Sequence, residues 1–138
     1  MMEIGEVKTF LGLEEDKEGP FDIVILPIPY EMTTSYREGT EFGPEACINA
    51  SIQVEINDEL LESELPCGFK IHTSKPWDND VPSLKEALVS ITNFSTPWMN
   101  GEQFPIILGG EHGLLLPLIE AVKEHPSINR ELQKLTIV

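Results

Sequence analysis

Residues 104 to 118 constrain the fold of this 138-residue chain more than any other stretch. They read Phe-Pro-Ile-Ile-Leu-Gly-Gly-Glu-His-Gly-Leu-Leu-Leu-Pro-Leu. Ile106, Ile107 and Leu108 form a short, continuously apolar run, the pattern of a buried parallel strand. Gly109 and Gly110 break the run, and Leu114 to Val122 reads as a helix. A strand that ends in two glycines and passes into a helix delivers its next side chains to the carboxyl edge of the sheet. Open α/β sheets bind ligands at that edge. The side chains delivered are Glu111, an acid, and His112, a candidate metal ligand. By itself the pattern does not name a chemistry, because a histidine after a strand is usually a solvated or hydrogen-bonded loop residue. The glycine pair lacks the G-x-G-x-x-G spacing of a phosphate cradle, and Glu111 would repel an anion.

The rest of the chain repeats the alternation of strand and helix. Strands are expected near 22–28, 69–72, 105–108 and 135–138, and helices near 44–52, 83–94 and 114–124. Apolar strands separated by amphipathic helices favour parallel βαβ units. The fold class is therefore α/β: a three-layer α/β/α sandwich with a mostly parallel sheet. Pro27 and Pro29 flank Ile28, so the first strand should stop pairing there. Gly43-Pro44 opens the next helix with proline at the first helical position. In that helix Ala46, Cys47, Ala50 and Val54 share a face of small residues suited to packing on a sheet. Ser83-x-x-Glu86 is a capping box for the following helix. Thr96-Pro97 and Asn100-Gly101 should end it. Residues 1 to 20 are polar and read as a loosely held arm or a short surface segment, and Trp77 and Trp98 read as core or interface residues. Leu135 to Val138 opens another β-branched strand that no turn residue closes. All 138 residues fit within a single domain.

Composition narrows the partners. Nine basic residues against 24 acidic ones leave a net charge of −15. Phosphate backbones need clustered Lys and Arg, so nucleic acid is not expected. The acidic balance suits solubility and is compatible with a small cationic substrate. No run of 18 apolar residues occurs, so no membrane span is expected, and the first residues lack the pattern of a signal peptide. Cys47 and Cys67 form neither a disulfide framework nor a C-x-x-C site, and a reducing cytoplasm is the simplest setting.

Residues 25 to 51 sharpen the reading. They contain Pro29-Tyr30-Glu31, Thr34-Ser35-Tyr36-Arg37, Gly39-Thr40, Phe42-Gly43-Pro44 and Ala50-Ser51. This segment resembles the first strand and loop of the ureohydrolases, the arginase and agmatinase family, and is nearer to the agmatinase branch. Gly109-Gly110-Glu111-His112 is similar to the Gly-Gly-Asp-His of that family, whose histidine binds manganese. The two motifs occur in the family's order and together cover about a third of the chain.

The resemblance implies an arginase-like fold, present here in its N-terminal half and so incomplete. It implies a manganese-dependent hydrolysis of a guanidino compound such as agmatine to urea and an amine, within polyamine metabolism. A guanidinium carbon is resonance-stabilised, and two divalent metals make a hydroxide available at neutral pH by lowering the pKa of a bound water. His112 would be one metal ligand, and Thr34, Ser35, Tyr36 and Arg37 would belong to a substrate-side loop. Family members are commonly oligomeric. The family's Asp-x-His-x-Asp strand and the later strand that carries its Asp-x-Asp are missing from these 138 residues; Asp78-Asn79-Asp80 has the second spacing but lies in the turn-rich stretch 73–82. One imidazole cannot hold a dinuclear cluster, so the chain alone should be inactive and should need a C-terminal half to complete it. Glu111 stands for the usual Asp and Gly113 for a usual Ser. The place of the family's Asp-x-Gly-Asp stretch holds residues 72 to 78, where His72 and Asp78, with His125 beyond, are weak substitutes. The alternative reading is a non-catalytic binding or regulatory protein derived from the same fold.

Overall fold

The computed structural model describes residues 8–14, 18–60, 62–123 and 125–129. Among them are five strands: β1 (Ile23–Ile28), β2 (Asn57–Asp58), β3 (Ser63–Glu64), β4 (Ile71–Thr73) and β5 (Phe104–Gly109). The helices are α1 (Gly43–Ser51), α2 (Leu84–Met99), α3 (Leu115–Val122) and the single turn α4 (Pro126–Asn129). The expected strand at 135–138 lies outside the described residues.

β1 is central, with β4 on one side and β5 on the other, and both pairings are parallel. Its register with β5 runs from Ile23 opposite Phe104 to Ile28 opposite Gly109. The central place explains the composition of β1, since a strand covered on both faces must be apolar throughout. Val24, Ile25, Leu26, Pro27 and Ile28 are all buried.

Both prolines in the sheet sit where they cost no ladder bond. The carbonyls of Ile25 and Pro27 point to the β4 side, where they accept from the amides of Ser74 and Trp77 at 3.0 and 2.9 Å. Pro27 therefore lacks its N–H on that side, beyond the end of β4 at Thr73. Pro105 follows Phe104, whose amide donates to Asp22 of the β1 side at 2.8 Å. Alternation turns the nitrogen of Pro105 to the outer edge, where a strand tolerates proline.

Helices cover both faces. Ile28 and Tyr30 pack with Trp77, Ala87, Ile91 and Leu114 beneath α2 and α3, with Ile107 and Leu118 against them. Burying a side chain such as Ile91, with no exposed surface, contributes about 2–3 kcal/mol. The Trp77 indole N–H donates to Ser90 Oγ at 3.1 Å, so the buried ring leaves no orphan donor. α1 lies on the opposite face.

Three local expectations need correction. α1 buries Pro44, Ile48 and Ser51, whereas Ala46, Cys47 and Ala50 are exposed. Spacing of four and three residues puts the first set on one stripe, and Ile48 supplies more apolar surface than any alanine. Val54 lies beyond the helix and is 52% exposed. Residues 8–14 are not loosely held: the amides of Phe10 and Leu11 donate to Thr73 Oγ1 at 3.0 Å and Ser51 Oγ at 2.8 Å. α2 continues through Pro97 to Met99. Proline there deprives only the carbonyl of Asn93, an exposed residue that water can satisfy, and Asn100 N–H still closes onto Thr96. The sequence also gave no sign of the antiparallel β2–β3 pair, Asn57 with Glu64 and Asp58 with Ser63.

Candidate functional site

The chain leaves the carboxyl ends of β1 and β5 side by side. After β1, Tyr30 is buried and its ring meets Trp77 edge-on, with centroids 6.4 Å apart. After β5, Glu111 N–H donates to the Tyr30 carbonyl at 3.0 Å, extending the pairing past the sheet. Gly110 lies between these residues, and no side chain fits there: a Cβ would come within 2.0 Å of the Tyr30 oxygen. Gly113 is also crowded, its Cβ position being 3.2 Å from Tyr30 Cε1.

Two carboxylates shape the loop of residues 30–42. Glu31 works within it. Its oxygens accept from the amides of Gly39, at 2.8 and 2.9 Å, and Glu41, at 3.0 Å. They also accept from the hydroxyls of Thr40, at 3.1 Å, and Thr34, at 3.4 Å. The Glu41 amide above all holds the Glu31 carboxyl below its ordinary pKa, with the Gly39 amide and Thr40 assisting against partial desolvation. Glu111 works from outside the loop. Its Oε1 accepts from the amides of Met32 and Thr33 at 3.2 and 2.9 Å and from Thr33 Oγ1 at 2.7 Å. Burial, followed by the charge and hydrogen bond of Glu111, pushes the Tyr30 phenol upward.

The bend so formed carries Tyr36 and Arg37 at its tip. Arg37 has φ 63°, a left-handed conformation costing about 1–2 kcal/mol in a residue with a Cβ. Its guanidinium lies 5.4 Å from the centroid of the Tyr36 ring, which is 77% exposed. Ser35 is exposed beside them, and Thr34 faces inward to Glu31. Gly39, at φ 111°, turns the chain back toward α1.

His112 is exposed in the short 3-10 turn His112–Leu114, one residue beyond Glu111. The structure thus brings the 30–42 loop and the His112 turn to one sheet edge, with Glu111 spanning the gap. His72 is elsewhere: it stacks on Phe21 at 4.5 Å and tilts against Trp98. A cleft of about 500 Å³ lies on the α1 side, lined by Pro27, Pro29, Phe42, Pro44, Ile48 and Glu41 among others. His112 and Glu111 do not line it.

Residues 21–137 match the family model described as the arginase family. The chain belongs to the arginase family. It is 38% identical over 110 residues to an N(1)-aminopropylagmatine ureohydrolase of Synechocystis, covering 76% of this chain and 36% of that relative. An agmatinase of Bacillus cereus is 30% identical over 128 residues, covering 88% of this chain and 40% of the relative. The chain thus spans well under half the length of these curated relatives. Its fold matches that of a Trypanosoma cruzi formiminoglutamase solved with Mn²⁺, at a TM-score of 0.71, 20% identity and coverage of 85% of this chain and 40% of that one.

For an arginase-family chain, the described residues do not suffice to hold a metal: no three His, Cys, Asp or Glu side chains among them are grouped to do so. Glu111 Oε1 already accepts three hydrogen bonds and Oε2 one, all from Met32 and Thr33. The sequence placed Glu111 at this edge as an acid beside His112 and as a departure from the family pattern, but not as a partner of the 30–42 loop. Its partners lie 78 and 79 residues away, and no local spacing points to them.

Proposed function

We propose that the protein to which this chain contributes is an agmatinase-like ureohydrolase, hydrolysing a small cationic guanidino compound to urea and an amine. The observation that carries this reading is the meeting of the 30–42 loop with the His112 turn at the carboxyl edge of an arginase-family sheet. The chain forms the N-terminal part of a single domain. In this reading His112 is one ligand of a manganese centre whose other ligands come from outside these 138 residues. Thr34, Ser35, Tyr36 and Arg37 belong to the substrate-side loop. The names of the relatives, agmatinase and N(1)-aminopropylagmatine ureohydrolase, favour a guanidino amine as substrate. The net charge of −15 is compatible with a cation. A homo-oligomer, or completion by a C-terminal half, and a reducing cytoplasmic setting belong to the same proposal.

The test is urea release from agmatine and from N(1)-aminopropylagmatine with manganese present. The 138-residue chain should release none, the complete protein should release urea, and its His112→Ala variant should lose most of that activity. Substantial turnover by the chain alone, or an undiminished His112→Ala variant, would overturn the reading.

A further inference from the structure

Glu111 occupies an unusual place between the two halves of the candidate site. Its own amide is bound to the Tyr30 carbonyl at 3.0 Å. Its carboxylate reaches the other way, to the amides of Met32 and Thr33 and to the Thr33 hydroxyl. Oε2 also accepts from Thr33 N–H, at 3.1 Å. An oxygen with three donors has little capacity left for a metal or a substrate proton. The next residue in the chain is His112, and the loop it grips leads to Tyr36 and Arg37.

We propose that Glu111 is a positioning residue whose carboxylate latches the 30–42 loop to the turn that carries His112. The extra methylene relative to aspartate is then functional. It moves the carboxylate outward by roughly 1.5 Å, one carbon–carbon bond. An aspartate on the same backbone would fall short of Thr33. Reach matters most, because glutamine at 111 keeps Oε1 as an acceptor for its three donors and gives up the charge and the single Thr33 N–H contact at Oε2. A group serving as metal ligand or general base would show the reverse order, aspartate tolerated and glutamine not.

The kinetic arm of the test rests on the ureohydrolase reading, whereas the exchange arm does not. In the complete protein, amide hydrogen exchange at Met32 and Thr33 is followed together with urea release from agmatine. E111A and E111D should speed exchange at both amides about tenfold or more, as expected for loss of hydrogen bonds to a charged acceptor. E111Q, which keeps the Oε1 bonds but not the charge or the Oε2 contact, should fall between the wild type and E111A. KM for agmatine should rise about tenfold in E111A and E111D with kcat within about threefold, and E111Q should partly restore KM. T33V, a mild change at an exposed residue, should move KM in the same direction by about threefold. Combined with E111A it should add nothing, since the two share one interaction. Unchanged exchange in E111A would overturn the latch. So would an E111Q variant as impaired as E111A beside a healthy E111D. If the wild type releases no urea from agmatine, the ureohydrolase reading fails for that substrate, and the exchange arm alone decides the latch.

Discussion

The carbonyl oxygen of Tyr30 lies 2.0 Å from where a Cβ on Gly110 would be. That is well inside any tolerable contact, and the obstacle is backbone rather than a movable side chain. The same carbonyl accepts the Glu111 amide at 3.0 Å, so it cannot withdraw without breaking the junction of β1 and β5. Gly110→Ala should therefore destabilise the protein by about 3 kcal/mol or more, beyond ordinary overpacking. Chemical denaturation of the complete protein measures this. A loss below about 1 kcal/mol would mean that the two strand ends are not held as described.

The central sheet was legible because its causes are local. Ile106, Ile107 and Leu108 are continuously apolar, glycines stop them, and a helical pattern follows, which favours a parallel partner; the burial expected of that run is not found, because β5 pairs on one side only among the described residues and leaves Ile106 exposed and Ile107 and Leu108 half-buried. The observed strands Ile23–Ile28 and Phe104–Gly109 and the start of α2 at Leu84 follow from such signals. The buried face of α1 is not legible in the sequence, because small residues at 46, 47 and 50 look like a packing face. Only the sheet beneath decides that Pro44, Ile48 and Ser51 are covered. The β2–β3 pair consists of Asn57, Asp58, Ser63 and Glu64, polar residues without alternation, and nothing in them announces a strand. The site divides in the same way. The glycine turn placed His112 at the sheet edge, but the bonds from Glu111 to Met32 and Thr33 join residues far apart in sequence and leave no periodic trace.

The start of α2 offers a separate check on helix capping. Ser83 Oγ accepts the Glu86 amide at 3.3 Å and donates to Glu86 Oε2 at 2.6 Å. This is the capping sequence with a hydroxyl-to-carboxylate bond closing it. Ser83→Ala should cost about 1 kcal/mol of stability, and Ser83→Asn should retain most of it. Equal loss in both variants, read from denaturation midpoints, would show that the cap contributes nothing.

Glu31 should make the 30–42 loop sensitive to acid. Its folded pKa is lowered, first by the Glu41 amide. A group of this kind contributes stability above its unfolded pKa and loses it as pH falls through the depressed folded value. Protection of the Gly39 and Glu41 amides, taken relative to the intrinsic exchange rate at each pH, should thus hold at neutral pH and be lost only below about pH 4.5, the ordinary value for the residue. Glu31→Gln should abolish that transition. A wild-type midpoint at or above 4.5 would contradict the bracing of the loop by this carboxylate.

Tyr30 should do the opposite at alkaline pH. Burial raises its phenol first, and the charge and hydrogen bond of Glu111 raise it further. The folded state therefore holds the phenolic proton more tightly than the unfolded chain. Its contribution is fully present below the unfolded pKa of about 10 and is lost as pH rises through the higher folded value. Tyr30→Phe should remove that alkaline loss, so the stability of the wild type relative to the variant should fall as pH passes 10, in denaturation series run from pH 8 to 11. Tyrosinate absorbance of the complete protein, read as the difference between wild type and Tyr30→Phe, should show this phenol titrating above 10 while the protein is folded and nearer 10 once it is unfolded. A stability difference that stays constant to pH 11, or a folded titration at or below 10, would remove Tyr30 from contact with Glu111.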